Sequence, residues 1–165
     1  LAVRHAMSER IPMTRAGYDK LRADLEHLNT VELPIILDRI AAARAEGDLS
    51  ENAEFQYGQE ARMHMEARIR NLRDRLSRAT LIDPAQMPRG EVAFGATVKL
   101  KDLDFGDEEE YTLVGAGEEN YDEGKILFTS PIGQGLAGKK VGEKVSIDVP
   151  QGTVKFEILD VSYGD

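Results

Sequence analysis

Apolar residues recur at helical spacing through the first half of the chain, separated by charged positions. Intervals of four and three residues place them on one stripe of a helix. The stripes consist of Leu21, Leu25, Leu28, Ile36, Ile40 and Ala43 and, in a second helix from about residue 51 to residue 80, of Met65, Ile69, Leu72, Leu76 and Ala79. Two long helices joined by a few residues run antiparallel, and stripes this narrow cover one another. The pattern therefore predicts a coiled-coil hairpin.

Local signals place the ends of these helices. Thr14 is a suitable N-cap for the first helix, and Pro34 should kink or interrupt it because proline has no N–H to donate. Gly47 and Asp48 supply a stop, and Asp48 or Ser50 supplies the N-cap of the second helix. At 1.5 Å per residue, about 30 residues give a rod about 45 Å long. Its bend carries residues 47–52.

The hydrophobic period changes from 3.6 to 2 in the second half of the chain. A proline- and glycine-containing stretch, residues 83–90, precedes the change and reads as a linker. Pro131–Ala137 could form a helical turn. The predicted strands are Ala96–Leu100, Glu110–Val114, Lys125–Phe128, Lys144–Val149 and Val154–Val161.

These elements predict an α+β protein with two domains. Residues 11–82 form the coiled-coil domain, and residues 91–165 form a small mostly-β domain. Residues 1–10 are expected to be a disordered N-terminal extension or an expression remnant.

Charge separates the two halves. Residues 1–82 hold 13 basic and 13 acidic side chains, whereas the rest of the chain holds 8 basic and 17 acidic ones, giving the net charge of -9. That balance disfavours a general nucleic-acid coat, which needs a basic surface.

With no Cys there is no disulfide, thiolate nucleophile or Cys-based zinc site, and three His residues are too few and too scattered for a metal cluster. No apolar run reaches a membrane span, so we expect a soluble, cytoplasmic protein with no membrane partner.

One glycine-rich segment imitates a nucleotide-binding loop. Gly133–Lys140 fits both G-x-G-x-x-G and G-x-x-x-x-G-K. A phosphate loop needs a long helix after it, so that the amides of the helix N-terminus face the phosphates. Here a turn into a strand follows, and Lys140 stands where a Ser or Thr would bind magnesium. Turn glycines explain the segment better, and we expect no small-molecule substrate.

Acidic runs occur in the second half, at Asp102–Asp104, Asp107–Glu110 and Glu118–Glu123. Such runs are most often solvated loops. The alternative is a docking face for a basic partner. Their spacing does not match an EF-hand loop.

The bend between the predicted helices carries the candidate chemistry. Asp48 and Glu51 stand three residues apart, with Glu46 and Glu54 flanking them and Arg44 one turn back. An exposed loop can carry acids for solubility alone. A long rod with a tight bend, however, serves to hold its tip away from its base, and paired carboxylates are hard oxygen ligands that suit Mg²⁺. Two carboxylates bind Mg²⁺ weakly, so they matter where another protein already holds one metal and lacks ligands for a second.

The bend resembles the tip motif of the bacterial transcript cleavage factors of the GreA/GreB family, and it reads GDLSENAEF from Gly47 to Phe55. The resemblance extends over nearly all of Ile11 to Tyr163 and fits the GreA branch better than GreB, whose rod typically carries a larger basic patch. Other similar segments are Ile11–Thr14 with Gly17, Pro34, Ala42–Gly47, Phe94–Val98 and Ser130–Lys139.

This resemblance implies a coiled coil followed by an FKBP-like domain that docks on RNA polymerase. The rod is then expected to enter the secondary channel of the polymerase and to reach the extruded 3′ end of backtracked nascent RNA. Such a factor is not an enzyme by itself, because it stimulates the polymerase's own endonucleolytic cleavage and so rescues arrested complexes. No cofactor is expected to bind tightly to the isolated chain, and Mg²⁺ enters only in the polymerase complex.

The resemblance also assigns roles to individual residues. Asp48 and Glu51 correspond to the tip acids that help to hold the second Mg²⁺ and its attacking water, and Arg44 to a basic position near the RNA. Asn52 and Phe55 are expected to support the tip. Asn52 would cap or orient the loop, and Phe55 would pack the bend or abut RNA, with packing the favoured role. The segment that would face polymerase consists of Ser130, Pro131, Ile132 and Gly133.

The returning helix departs from the family pattern at two positions. Gly58 should loosen the helix by up to about 1 kcal/mol. Gln59 removes a cationic contact, which would weaken the affinity of the rod for RNA. Arg62 could compensate for that loss.

Two other functions fit parts of the sequence. A secondary-channel regulator that inhibits polymerase would share the partner but carry a different tip, often denser in acids. An FKBP-like prolyl isomerase or chaperone would need an aromatic-lined apolar pocket, and the second domain has no Trp and few aromatic residues.

Overall fold

The computed structural model of the chain describes residues 9–47 and 52–164. They form two compact units, one of Tyr18–Ala79 and one that joins Arg10–Gly17 to the chain from Thr80 onward. The helices are α1 (Arg15–His27), α2 (Leu33–Ala45), α3 (Ala53–Ser77) and α4 (Pro131–Leu136). The strands are β1 (Ile11–Met13), β2 (Ala79–Leu81), β3 (Ala96–Asp102), β4 (Glu108–Val114), β5 (Lys125–Leu127), β6 (Lys144–Val149) and β7 (Gly152–Tyr163).

The predicted interruption beside Pro34 is confirmed. A π-helical segment, Leu28–Glu32, separates α1 from α2. The Leu33 N–H donates to the Leu28 carbonyl, five residues back, and not to the carbonyl four residues back as in an α-helix. Proline cannot donate to the carbonyl four residues before it, so the helix widens by one residue ahead of the ring. The Thr30 hydroxyl satisfies the Glu26 carbonyl at 2.7 Å.

Helices α2 and α3 pack as an antiparallel hairpin. Beside the bend, Ala43 contacts Asn52. Further from the bend, Ile40 contacts Gly58, so the contacts move back along α2 as they move forward along α3. Apart from Gly58, the buried residues of the helical unit belong to the predicted stripes, and the other intervening positions that the structure describes are exposed or half-buried. The buried members are Leu21, Leu28, Ile40, Ala43, Ile69 and Leu72.

Two predicted helix ends are wrong. The N-cap of α3 is Asn52, whereas the sequence pointed to Asp48 or Ser50. Helix α3 ends at Ser77 and not near residue 80, because Ala79–Leu81 extends as β2 and pairs with β1. The same pairing explains why residues 10–17 group with the β-sheet unit, although the predicted coiled-coil domain began at residue 11.

The β-sheet unit contains a five-stranded sheet in the order β5-β4-β3-β7-β6. All neighbouring strands run antiparallel except β4 and β5, which are parallel. Helix α4 packs on β6, and its Gly135 is so close that a Cβ there would lie 2.6 Å from Ile147 Cγ1. A single apolar core joins the sheet to α4, including Val98, Leu100 and Leu136, which are fully buried. The α+β class and the short helix after Ser130 are therefore confirmed.

Among the helices that the structure describes, none combines the length and the apolar character that crossing a membrane requires.

Candidate functional site

The candidate site is the bend between α2 and α3. The two predicted metal ligands, Asp48 and Glu51, lie outside the described residues, and their roles stay predictions. The described chain defines both edges of the bend. On the α2 side it ends at Gly47, whose φ of 115° is the left-handed conformation that glycine adopts at the end of a helix.

Asn52 ties the two edges of the bend together. Its Oδ1 accepts a hydrogen bond from the Phe55 N–H at 3.1 Å and so caps α3. Its Nδ2 donates to the Ala43 carbonyl at 2.8 Å. This carbonyl lies in the last turn of α2 and also accepts from the Glu46 N–H, at 3.2 Å. One side chain thus bonds to both helix ends, and the role of Asn52 in supporting the tip stays a prediction.

Arg44 and Phe55 form a second contact across the bend. The Arg44 guanidinium carbon lies 5.7 Å from the centre of the Phe55 ring, which is within cation–π range. Phe55 is half-buried, which agrees with packing at the bend, and its role in supporting the tip stays a prediction. Arg44 remains exposed, and its donors can still reach an anionic ligand beside the ring.

The donor chemistry at the bend suits magnesium only in part. Carboxylate oxygens are the ligands that Mg²⁺ prefers, and the bend sequence offers two of them, Asp48 and Glu51. Within residues 9–47 and 52–164, no three His, Cys, Asp or Glu side chains are grouped to hold a metal ion.

The second predicted site lies at the start of α4, and its four residues have different surroundings. Ser130 is the N-cap, and its hydroxyl oxygen accepts from the Gly133 N–H at 3.1 Å. Pro131 is exposed, Ile132 is half-buried against the core and Gly133 is buried. A Cβ at Gly133 would lie 2.7 Å from the Leu127 carbonyl oxygen, so only glycine fits. Pro131 is the member that is most available to a partner.

Comparison with known proteins identifies the family. Residues 11–81 match the family described as "Transcription elongation factor, N-terminal", and residues 87–163 match "Transcription elongation factor, GreA/GreB, C-term". The chain belongs to the GreA/GreB family of transcription elongation factors. It is 46% identical over 157 residues to "Transcription elongation factor GreA" of Thermodesulfovibrio yellowstonii, covering 95% of this chain and 99% of the relative. It is also 47% identical over 154 residues to the protein of the same name from Helicobacter hepaticus, covering 93% and 94%.

Sequence reasoning misjudged one residue of this GreA/GreB family member. Gly58 was expected only to loosen α3, but it is buried, and a Cβ there would lie 2.7 Å from Ile40 Cγ1. Glycine therefore allows α2 and α3 to approach closely behind the bend. Its position on the same stripe as Met65 and Leu72 could have revealed this role, because a glycine on a buried stripe often marks a close approach.

Proposed function

We propose that this chain stimulates the hydrolysis of backtracked nascent RNA by RNA polymerase and so rescues arrested transcription complexes. In this proposal the helical hairpin enters the secondary channel of the polymerase and brings Asp48 and Glu51 to its active site. Membership of the GreA/GreB family supports the assignment. The observation that carries it is the Asn52 bridge from α3 to Ala43 of α2, because it closes the bend and leaves the two acids in the short segment between its edges.

The chain contributes ligands and positioning. Asp48 and Glu51 would hold a Mg²⁺ ion through their carboxylate oxygens in the complex with polymerase. When bound, a second metal lowers the pKa of the attacking water and stabilises the leaving oxygen. Asn52 and the Arg44–Phe55 pair hold the two edges of the bend together, and positioning of this kind accelerates a reaction by lowering its entropic cost.

Two carboxylates bind Mg²⁺ weakly without further ligands. The isolated chain is therefore proposed to hold no metal tightly and to hydrolyse no RNA alone. Arg44 is proposed to contact a phosphate of the extruded RNA, because its guanidinium stays exposed while its position is fixed over Phe55.

The start of α4 is proposed to dock on polymerase through Pro131, with Ser130, Ile132 and Gly133 fixing its position. The exposed ring stands on a capped turn whose glycine contacts the backbone of the preceding strand, so this surface is rigid before it binds. Since bacterial transcription takes place in the cytoplasm, we expect the chain to act there.

The test is transcript cleavage in a halted, backtracked elongation complex. Wild type should shorten the RNA in the complex and leave free RNA intact. Asp48→Ala combined with Glu51→Ala should reduce the cleavage rate at least 100-fold at low Mg²⁺ concentration, and high Mg²⁺ should recover part of the loss.

The matched control removes the same charge beside the site, through Glu46→Ala combined with Glu54→Ala, and should retain most of the activity. Equal rates for the tip variant and the wild type would refute the metal role. Inhibition of nucleotide addition in complexes that have not backtracked, without cleavage, would instead identify an inhibitor.

A further inference from the structure

Glu118 faces the protein, although it opens an acidic run that reads as solvated surface. Its Oε1 accepts a hydrogen bond from the Thr14 hydroxyl. Its Oε2 accepts from the backbone N–H groups of Thr14 and Gly115, both at 3.3 Å. Since Thr14 directly precedes α1, this carboxylate binds the start of that helix, where negative charge is favoured.

Gly17 makes this approach possible. Its N–H donates to the Thr14 hydroxyl oxygen at 3.0 Å, within the first turn of α1. A Cβ at position 17 would overlap the Glu118 carboxylate and would lie 2.6 Å from its Cγ. The backbone also approaches closely at Gly115, where a Cβ would lie 2.8 Å from the Pro12 carbonyl oxygen. We call the set of Thr14, Gly17, Gly115 and Glu118 the Glu118 clasp.

The whole clasp belongs to the β-sheet unit. Helix α1 begins within that unit and continues without a break past Tyr18, into the part of the chain that forms the helical unit. A contact that fixes the first turn of α1 therefore acts on the helix from which the rod extends. The neighbouring acid, Glu119, differs. Its one described hydrogen bond is accepted by Oε2 from the Gly117 N–H of its own loop, at 2.7 Å.

We propose that Glu118 is a positioning residue that fixes the first turn of α1, the helix that continues from the β-sheet unit into the helical unit. The inference rests on the proposed function, because a rod that carries ligands into another protein's active site loses rate when its base can move. Binding to polymerase depends on other surfaces and should be little affected. Loss of the clasp should therefore change the maximal cleavage rate more than it changes the half-saturating concentration of the factor.

The first experiment compares Glu118→Ala with the matched control Glu119→Ala in transcript cleavage by halted complexes. Glu118→Ala should lower the maximal rate at least fivefold and shift the half-saturating concentration less than twofold. Glu119→Ala should match the wild type in both. Glu118→Gln keeps a hydrogen-bond acceptor of the same size and should recover at least half of the lost rate.

Equal behaviour of the alanine variants at positions 118 and 119 in active preparations would overturn the positioning role. A rise in the half-saturating concentration at an unchanged maximal rate would overturn it as well. If wild type itself does not stimulate cleavage, the proposed function fails first, and the positioning role falls with it.

The second experiment tests the contact without polymerase, by thermal unfolding. Gly17→Ala should lower Tm in the wild type, because the new methyl group meets the carboxylate. In the Glu118→Ala background the same change should leave Tm unchanged or raise it, because the obstacle is gone and alanine favours a helix. An equal loss of Tm in both backgrounds would show that Glu118 does not lie against Gly17 and would overturn the proposal.

Discussion

The Asn52 side chain donates a hydrogen bond to the carbonyl of Ala43, nine residues earlier in the chain and on the opposite helix of the hairpin. The same side chain caps α3 through the Phe55 N–H. A single amide thus couples the start of one helix to the end of the other. An aspartate can replace only the capping half of this arrangement, because it has no donor for the Ala43 carbonyl.

Two substitutions at Asn52 should separate these roles. Asn52→Ala removes both bonds and should destabilise the helical unit by about 1–2 kcal/mol, the usual cost of a lost N-cap. Asn52→Asp retains the cap and should cost less, but it should lower transcript cleavage because the bend is no longer tied to Ala43. Thermal unfolding followed by far-UV circular dichroism measures stability, and halted complexes measure cleavage. Full cleavage activity in Asn52→Asp would show that the bridge does not matter for function.

Gly58→Ala should destabilise the hairpin, although alanine is the better helix former by about 1 kcal/mol. The reason is the 2.7 Å separation between the new Cβ and Ile40 Cγ1. The control is Gly58→Ala in an Ile40→Ala background, where the obstructing atom is absent and the substitution should be neutral or stabilising. A gain in Tm from Gly58→Ala in the wild type would contradict the close approach of the two helices.

Phe55→Leu should cost about 0.5–1 kcal/mol, the size of an exposed cation–π interaction, because it keeps an apolar side chain but removes the ring under Arg44. In that background Arg44→Ala should cause no further loss of stability. Cleavage assays then separate packing from RNA contact. If Arg44 also binds RNA, Arg44→Ala lowers the cleavage rate more than Phe55→Leu does, whereas equal effects would limit Arg44 to packing.

Tyr111 should titrate far above an ordinary tyrosine. Its pKa is raised to about 12, chiefly by burial and further by the hydrogen bond to Glu109 and the nearby charges of Glu109 and Asp102. The folded protein keeps the proton that the unfolded chain loses near pH 10, so this stabilisation is complete below pH 10 and is lost as the pH rises to about 12. Phenolate absorbance at 295 nm, compared with Tyr111→Phe, measures the titration. A transition near pH 10 that is smaller by one of the five tyrosines in that variant would show an unshifted group.

Periodicity and local signals determined most of the fold of this protein. The apolar stripes, the alternation in the second half and the interruption at Pro34 depend on neighbours within a few residues, so the sequence carries them directly. It also carried the family resemblance, which the comparisons confirm. The assignment of magnesium to Asp48 and Glu51 stays a prediction.

Only the tertiary structure decided the roles of Asn52, Gly58 and Glu118, because each contacts a residue that is distant in the sequence. Asn52 caps α3 in place of Ser50 because its amide also reaches Ala43, and α3 stops at Ser77 because β2 pairs with β1. In the sequence Glu118 is one acid among several, and only the fold places it beside Thr14, 104 residues earlier in the chain. These outcomes depend on groups that are distant in sequence, and no local propensity encodes which distant groups will meet.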